Sequence, residues 1–133
     1  ITGHSLGAAL ATHCGLDGVI TYGIQPNYVW TFGQPRVGNY NFAAYEDSLI
    51  NIHYRVTHRK DPVPHLPNES MGFYHTVLEV FYPELPNSTN YMICDGSGED
   101  PKCSDKYLVD LDVADHLDYQ GFDFTANYLS CKI

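Results

Sequence analysis

Apolar positions recur along this chain with two different periods. Ile52, Tyr54 and Val56 alternate with His53, Arg55 and Thr57, the period-two pattern of a strand. A second run, Tyr28-Val29-Trp30-Thr31-Phe32, is β-branched and aromatic; bounded by Pro26 and by Gly33-Gln34-Pro35, it predicts a strand with its exit loop. Ile1 and Thr2 read as the last residues of an earlier strand. Small and helix-favouring residues then run from Leu6 to about Leu16, with Gly15 and Gly18 marking the expected helix stop. Asn39 is the expected cap of a second helix through Phe42, Ala43, Ala44, Tyr45 and Leu49. Pro62 and Pro64 end the alternating strand, because neither can extend a ladder.

Strand, helix, strand, helix, strand is the order of an α/β domain with a parallel sheet. Downstream the pattern changes. Residues 73–82 and 91–94 predict two strands joined by turn residues 83–90, an antiparallel extension. Asp115 reads as the N-cap of a last helix, with Leu117, Phe122 and residues 124–128 on its apolar side. No repeat, low-complexity tract or linker divides the chain, so residues 1–133 read as one domain.

Composition narrows the classes. An aromatic content of 14 % is too high for a disordered tail. Sixteen acidic residues against seven basic ones give a net charge of −9, which argues against nucleic acid as a partner and against anionic membranes held by charge. No stretch approaches the ~18 consecutive apolar residues of a transmembrane segment. The chain starts with Ile1 rather than Met, inside what reads as a buried strand, so it is expected to be a piece of a longer protein.

Four cysteines, Cys14, Cys94, Cys103 and Cys131, allow three full pairings, and spacing alone does not choose among them. Cys94 and Cys103 bracket a loop rich in Gly, Asp and Pro with little apolar content, and they are the expected pair. Cys14, in an Ala-rich stretch, is expected to be a buried free thiol. Sequons at Asn68 and Asn87 join the cysteines in pointing to an oxidising, secreted setting.

The candidate chemistry begins at Gly3-His4-Ser5-Leu6-Gly7, which fits Gly-x-Ser-x-Gly. This pattern holds a serine out at a sharp strand-to-helix turn. Gly3 and Gly7 are expected where backbones approach too closely for a Cβ. The following helix aims its N-terminus at the site, and the Leu6 N–H is a candidate donor to an oxyanion. A nucleophilic serine needs a base and a carboxylate to orient it, in the chain order Ser, Asp, His for an α/β-hydrolase. Asp61 lies just past the end of a predicted strand, the edge where α/β sheets gather ligands. Of seven histidines, His4, His13, His53 and His58 precede Asp61; His65 is four residues past it and His75 falls within a predicted strand. His116 is the favoured base. His58 and His65 lack a spacing suited to one metal and no Cys-x-x-Cys is present, so no metal is expected.

Four blocks in order, Gly-His-Ser-Leu-Gly-Ala-Ala-Leu-Ala at 3–11, Thr-Phe-Gly-Gln-Pro-Arg-Val-Gly-Asn at 31–39, Asp-Pro-Val-Pro-His-Leu-Pro at 61–67 and Asp-His-Leu-Asp-Tyr at 115–119, resemble the class 3 (fungal-type) lipase family. The resemblance implies an α/β-hydrolase fold, here from the nucleophile elbow onwards, and hydrolysis of carboxylic esters, commonly triacylglycerols at an oil–water interface. It implies Ser5 as nucleophile, Asp61 as acid, His116 as base and Leu6 as half of the oxyanion hole, with no cofactor. The family's other oxyanion donor, its lid and its first strands lie upstream of the serine. Cys131 resembles a terminal cysteine that pairs with an N-terminal partner in some members, and is expected to be unpaired here. Phospholipase A1 or feruloyl esterase activity on the same scaffold, and a non-catalytic lipid-binding relative, are the competing expectations.

Overall fold

The computed structural model describes residues 1–84 and 89–127. Asn87 and Cys131 therefore lie outside the described residues. The elements follow in the order β1 (Thr2–His4), α1 (Leu6–Tyr22), β2 (Val29–Phe32), β3 (Gly38–Asn39), α2 (Tyr40–Leu49), β4 (His53–His58), β5 (Phe73–Tyr74), β6 (Glu79–Tyr82), β7 (Met92–Ile93), α3 (Val113–Leu117), β8 (Asp118–Tyr119), β9 (Phe122–Asp123) and α4 (Phe124–Asn127). The main sheet has the order β1-β2-β4-β6-β7, parallel except for the antiparallel β7. Each parallel strand therefore ends on the same edge, and β1, β2 and β4 deliver Ser5, Gly33 and Asp61 there. Val29, Val56, Val80 and Phe81 form the middle of the core.

Helix α1 lies against β1 and β2. Its buried residues, Ala8, Ala11, Thr12, Gly15 and Leu16, follow the i, i+3, i+4, i+7, i+8 spacing of a single helical stripe. Cys14 falls off that stripe and is exposed, which corrects the expected buried thiol. The helix also runs past both of its expected stops. Gly15 is a packing residue: a Cβ there would lie 3.3 Å from Val29 Cγ2, so its absence lets the helix sit close to β2. The helix ends at Gly23, whose φ of 66° places it in the left-handed region and whose N–H donates to the Val19 carbonyl. Asn39 caps α2 as expected, its Oδ1 accepting from the Phe42 N–H at 2.9 Å.

Three further expectations change. Residues 73–82 split: β5 pairs antiparallel with β3, while β6 joins the main sheet parallel to β4. The expected antiparallel extension is β7 alone. Asp115 is not a cap; Asp112 is, accepting from the Ala114 N–H at 2.9 Å, and Asp115 is buried inside α3. The expected long last helix is broken after five residues by the β8–β9 hairpin, whose Gln120 and Gly121 both have positive φ. Two positive φ values in a two-residue loop match the twist of the flanking strands.

The loop between Cys94 and Cys103 is closed by a disulfide joining them, as expected. Buried arginines hold it as well. Arg55 donates to the Gly98 carbonyl at 2.9 Å, and Arg36 grips Glu99 with two bonds of 2.9 and 2.6 Å. Burial works against the Arg36 charge, but Glu99, Asp105 and Glu69 outweigh it and hold the guanidinium more firmly protonated than usual.

His75 sits beside this cluster, 6 % exposed, and its Nε2 donates to the Pro64 carbonyl at 2.7 Å. Burial, then the positive charges of Arg55 and Arg36, push its pKa well below the ordinary imidazole value. The folded chain therefore keeps His75 neutral where the unfolded chain takes up a proton. Stability should be unaffected by His75 above about pH 6.5 and fall as pH drops below it, by up to about 1.4 kcal/mol per pH unit. His75→Gln keeps the donor and removes the titration. Denaturant melts of the full-length protein at pH 7 and pH 5 should show a smaller loss for the variant than for the wild type.

Candidate active site

The turn after β1 is built by one close approach. A Cβ on Gly3 would lie 2.1 Å from the Gly7 carbonyl oxygen, inside any allowed contact. Gly7 itself has open space around its Cβ position, so the expected need for glycine there is corrected: Gly7 contributes its carbonyl, not its missing side chain. Between them Ser5 adopts φ 58°, ψ −128°, a strained conformation for a residue with a Cβ. Its N–H is held by the Phe32 carbonyl at 3.0 Å. The strained turn lifts Oγ off the sheet edge, at the N-terminus of the 17-residue α1. Leu6 opens that helix, where an N–H has no acceptor within the helix.

Asp61 follows β4 by three residues and is 2 % exposed. Its Oδ1 accepts from the Val63 N–H at 2.8 Å, and its Oδ2 accepts from His116 Nδ1 at 2.9 Å. A carboxylate only accepts, so the proton of neutral His116 is on Nδ1 and the lone pair on Nε2. That nitrogen lies 2.8 Å from Ser5 Oγ, which donates to it. The three side chains singled out in the sequence therefore form one hydrogen-bonded chain, from residues up to 111 positions apart.

Three neighbours quoted in the sequence blocks carry roles that spacing did not assign. Tyr119, 3 % exposed, donates its hydroxyl to the same Asp61 Oδ2 that receives His116. Burial and then the Asp61 charge push its phenol well above the ordinary value, so it remains a donor. Gly33, at φ +54°, leaves room for the site: a Cβ there would sit 2.7 Å from Asp61 Oδ2, 2.9 Å from Tyr119 Oη and 3.0 Å from His116 Nδ1. A glycine directly after a predicted strand, on the ligand-binding edge, was the available signal. His4 stacks on the His116 ring at a centroid distance of 4.5 Å.

The remaining histidines are elsewhere engaged. His53 bonds Glu46 at 2.9 Å in a buried network with Gln34 and Thr31. His58 faces the Asp115 carbonyl at 3.1 Å, and His65 lies 3.4 Å from Asp105. Among the described residues, ligand-type side chains gather twice outside the triad. Glu79 meets Cys94 and Cys103, whose thiols are already joined to each other; Glu69, Glu99 and Asp105 surround the Arg36 guanidinium, which supplies their countercharge.

A family model described as Lipase (class 3) matches residues 1–71. The chain belongs to the class 3 lipase family. The Rhizopus niveus lipase is 36 % identical over 137 residues, covering 98 % of this chain and 33 % of that protein. The secreted mono- and diacylglycerol lipase 1 of Fusarium solani is 36 % identical over 128 residues, covering 90 % of this chain and 36 % of its own length. A solved triacylglycerol lipase, described as having a serine protease triad at its catalytic centre, superposes with a TM-score of 0.82 at 37 % identity, covering 92 % of this chain and 47 % of that one. The fold of this lipase-family chain is the α/β-hydrolase fold. It spans between a third and a half of the length of these relatives. No helix among its described residues is long and apolar enough to cross a membrane.

The asymmetry of the elbow gives a direct test on stability. Gly3→Ala should prevent the turn and leave little folded protein. Gly7→Ala adds a methyl facing open space and removes a helical glycine, so it should change stability by less than about 1 kcal/mol, or raise it. Thermal melts of both variants in the full-length protein check this; equal damage from the two would contradict the geometry.

Proposed function

We propose that this chain carries the catalytic triad of a carboxylic ester hydrolase acting on glycerides at an oil–water interface. One observation carries the reading: the continuous hydrogen-bond chain from Ser5 Oγ through His116 to Asp61 Oδ2, at 2.8 and 2.9 Å. Ser5 Oγ attacks the ester carbonyl while His116 Nε2 takes its proton. Asp61 holds the tautomer and stabilises the imidazolium. The tetrahedral oxyanion is met by the Leu6 N–H at the positive end of α1. His116 then returns the proton to the leaving alcohol, and water repeats the sequence on the acyl-enzyme to release the acid. The chemistry asks for no metal or cofactor.

Glycerides are favoured by the names of the similar proteins, a mono- and diacylglycerol lipase and a triacylglycerol lipase. Leu6, directly beside the nucleophile, is 71 % exposed and offers apolar surface to such a substrate. A secreted setting is supported by the Cys94–Cys103 disulfide and by the secreted Fusarium relative. Asn68 is exposed, as a glycosylation acceptor must be. A net charge of −9 continues to disfavour nucleic acid.

The test is hydrolysis by the full-length protein of p-nitrophenyl esters and of an emulsified triglyceride. Ser5→Ala and His116→Ala should each lose about three orders of magnitude or more in kcat. An emulsion hydrolysed no faster than a soluble short-chain ester would favour an esterase over a lipase. Retention of most activity in Ser5→Ala would defeat the reading altogether.

A further inference from the structure

His4 makes a set of contacts that the triad alone does not require. Its ring stacks with the His116 imidazole at 4.5 Å and an interplanar angle of 29°, and with Phe124 at 3.8 Å and 12°. Tyr119 meets it edge-on at 5.6 Å. Its Nε2 lies 2.8 Å from the backbone carbonyl of His116. A carbonyl only accepts, so Nε2 carries the proton and donates.

That carbonyl needs a partner. His116 is the fourth residue of the five-residue α3, and the last four carbonyls of any helix lack intrahelical donors. So short a helix has little intrinsic stability and cannot by itself fix the side chain it carries. The preceding carbonyl, of Asp115, lies 3.1 Å from His58 Nδ1. The residue that bears the base is thus held through its ring and through its backbone by the residue next to the nucleophile.

We propose, resting on the triad reading above, that His4 is a positioning residue for the acyl-transfer reaction. Its ring supports the His116 imidazole from one side while its Nε2–H anchors the His116 carbonyl, so the base cannot turn away from Ser5 between proton transfers. His4 touches neither reacting atom. It acts by keeping Nε2 of His116 within hydrogen-bond reach of Oγ, and because β1 supplies both His4 and the approach to Ser5, nucleophile and base are referenced to one strand. Loss of such positioning lowers the rate of the chemical step and leaves substrate binding unchanged.

Three substitutions in the full-length protein separate the two contacts. His4→Phe keeps a stacking ring and loses the donor, His4→Gln keeps a donor and loses the ring, and His4→Ala loses both. With a soluble p-nitrophenyl ester, His4→Ala should lower kcat by on the order of 30-fold with KM within about twofold, and Phe and Gln should each recover at least about threefold of that loss. A kcat for His4→Ala within about threefold of wild type, or an effect confined to KM, would overturn the proposal. Should His4→Ala fail to fold, the decision passes to the other two: lowered kcat with unchanged KM in at least one supports the role, and wild-type kcat in both overturns it. Ser5→Ala is measured alongside. Wild-type kinetics in the His4 variants with an inactive Ser5→Ala removes only the role of His4, whereas an active Ser5→Ala removes the triad reading itself.

Discussion

The contact on which the site depends is the absence of one methyl group. Gly3 and the Gly7 carbonyl approach so closely that a Cβ on Gly3 would lie 2.1 Å from the oxygen, and this approach folds β1 directly back into α1. Ser5, at the apex, accepts a left-handed φ of 58° that costs on the order of 1–3 kcal/mol and is held there by the Phe32 carbonyl and by the start of a 17-residue helix. The strain points Oγ away from the sheet and leaves the first helical N–H groups facing the same space. Both the proposed nucleophile and the proposed oxyanion donor follow from that single turn.

The rest of the molecule brings partners to a point that β1 defines. Parallel pairing of β1, β2 and β4 puts three strand ends on one edge, so Ser5, Gly33 and Asp61 converge although the first and last are 56 positions apart. The chain must then return with His116 and Tyr119 from the far side of β6. The Cys94–Cys103 link and the Arg36–Glu99 and Arg55–Gly98 bonds shorten that return path. Asp61 is the hub of the result: a Val63 N–H, a Tyr119 hydroxyl and His116 Nδ1 occupy its lone pairs, so the carboxylate is buried without being left unpaired. Gly33 matters for the same reason, since the methyl of any other residue would enter the middle of these bonds.

What could be read in the sequence was what short-range periodicity encodes. The β-branched run at 28–32 and the Asn39 cap each state a local preference that tertiary packing left in force. The alternation at 52–57 does mark a strand, but the sheet buries its polar His53, Arg55 and Thr57 along with Val56. Chain order favours His116 as base but does not single out Asp61; the resemblance of four ordered blocks to the class 3 lipase family is what names Ser5, Asp61 and His116 together. Sequence reading failed where glycine has two uses. Gly15 and Gly18 look like helix stops, but a small residue also permits close packing, as Gly15 does against Val29 of β2. Gln120-Gly121 lies in an apolar run that reads as helix, yet positive φ at both residues makes a hairpin there. Tyr119, Gly33 and His4 escaped assignment for a different reason: their roles are defined by distances across the sheet edge, which no spacing along the chain expresses.

In the proposed triad, His116 makes Ser5 nucleophilic by taking its proton across the 2.8 Å contact between Nε2 and Oγ. A fluorophosphonate probe reacts only with a serine whose proton is removed by a positioned base. Applied to the full-length protein and followed by peptide mass spectrometry, it should place one adduct on Ser5, and the labelling rate should fall by about two orders of magnitude or more in His116→Ala. An adduct on a different serine, or labelling of Ser5 at an unchanged rate without His116, would contradict this role of His116.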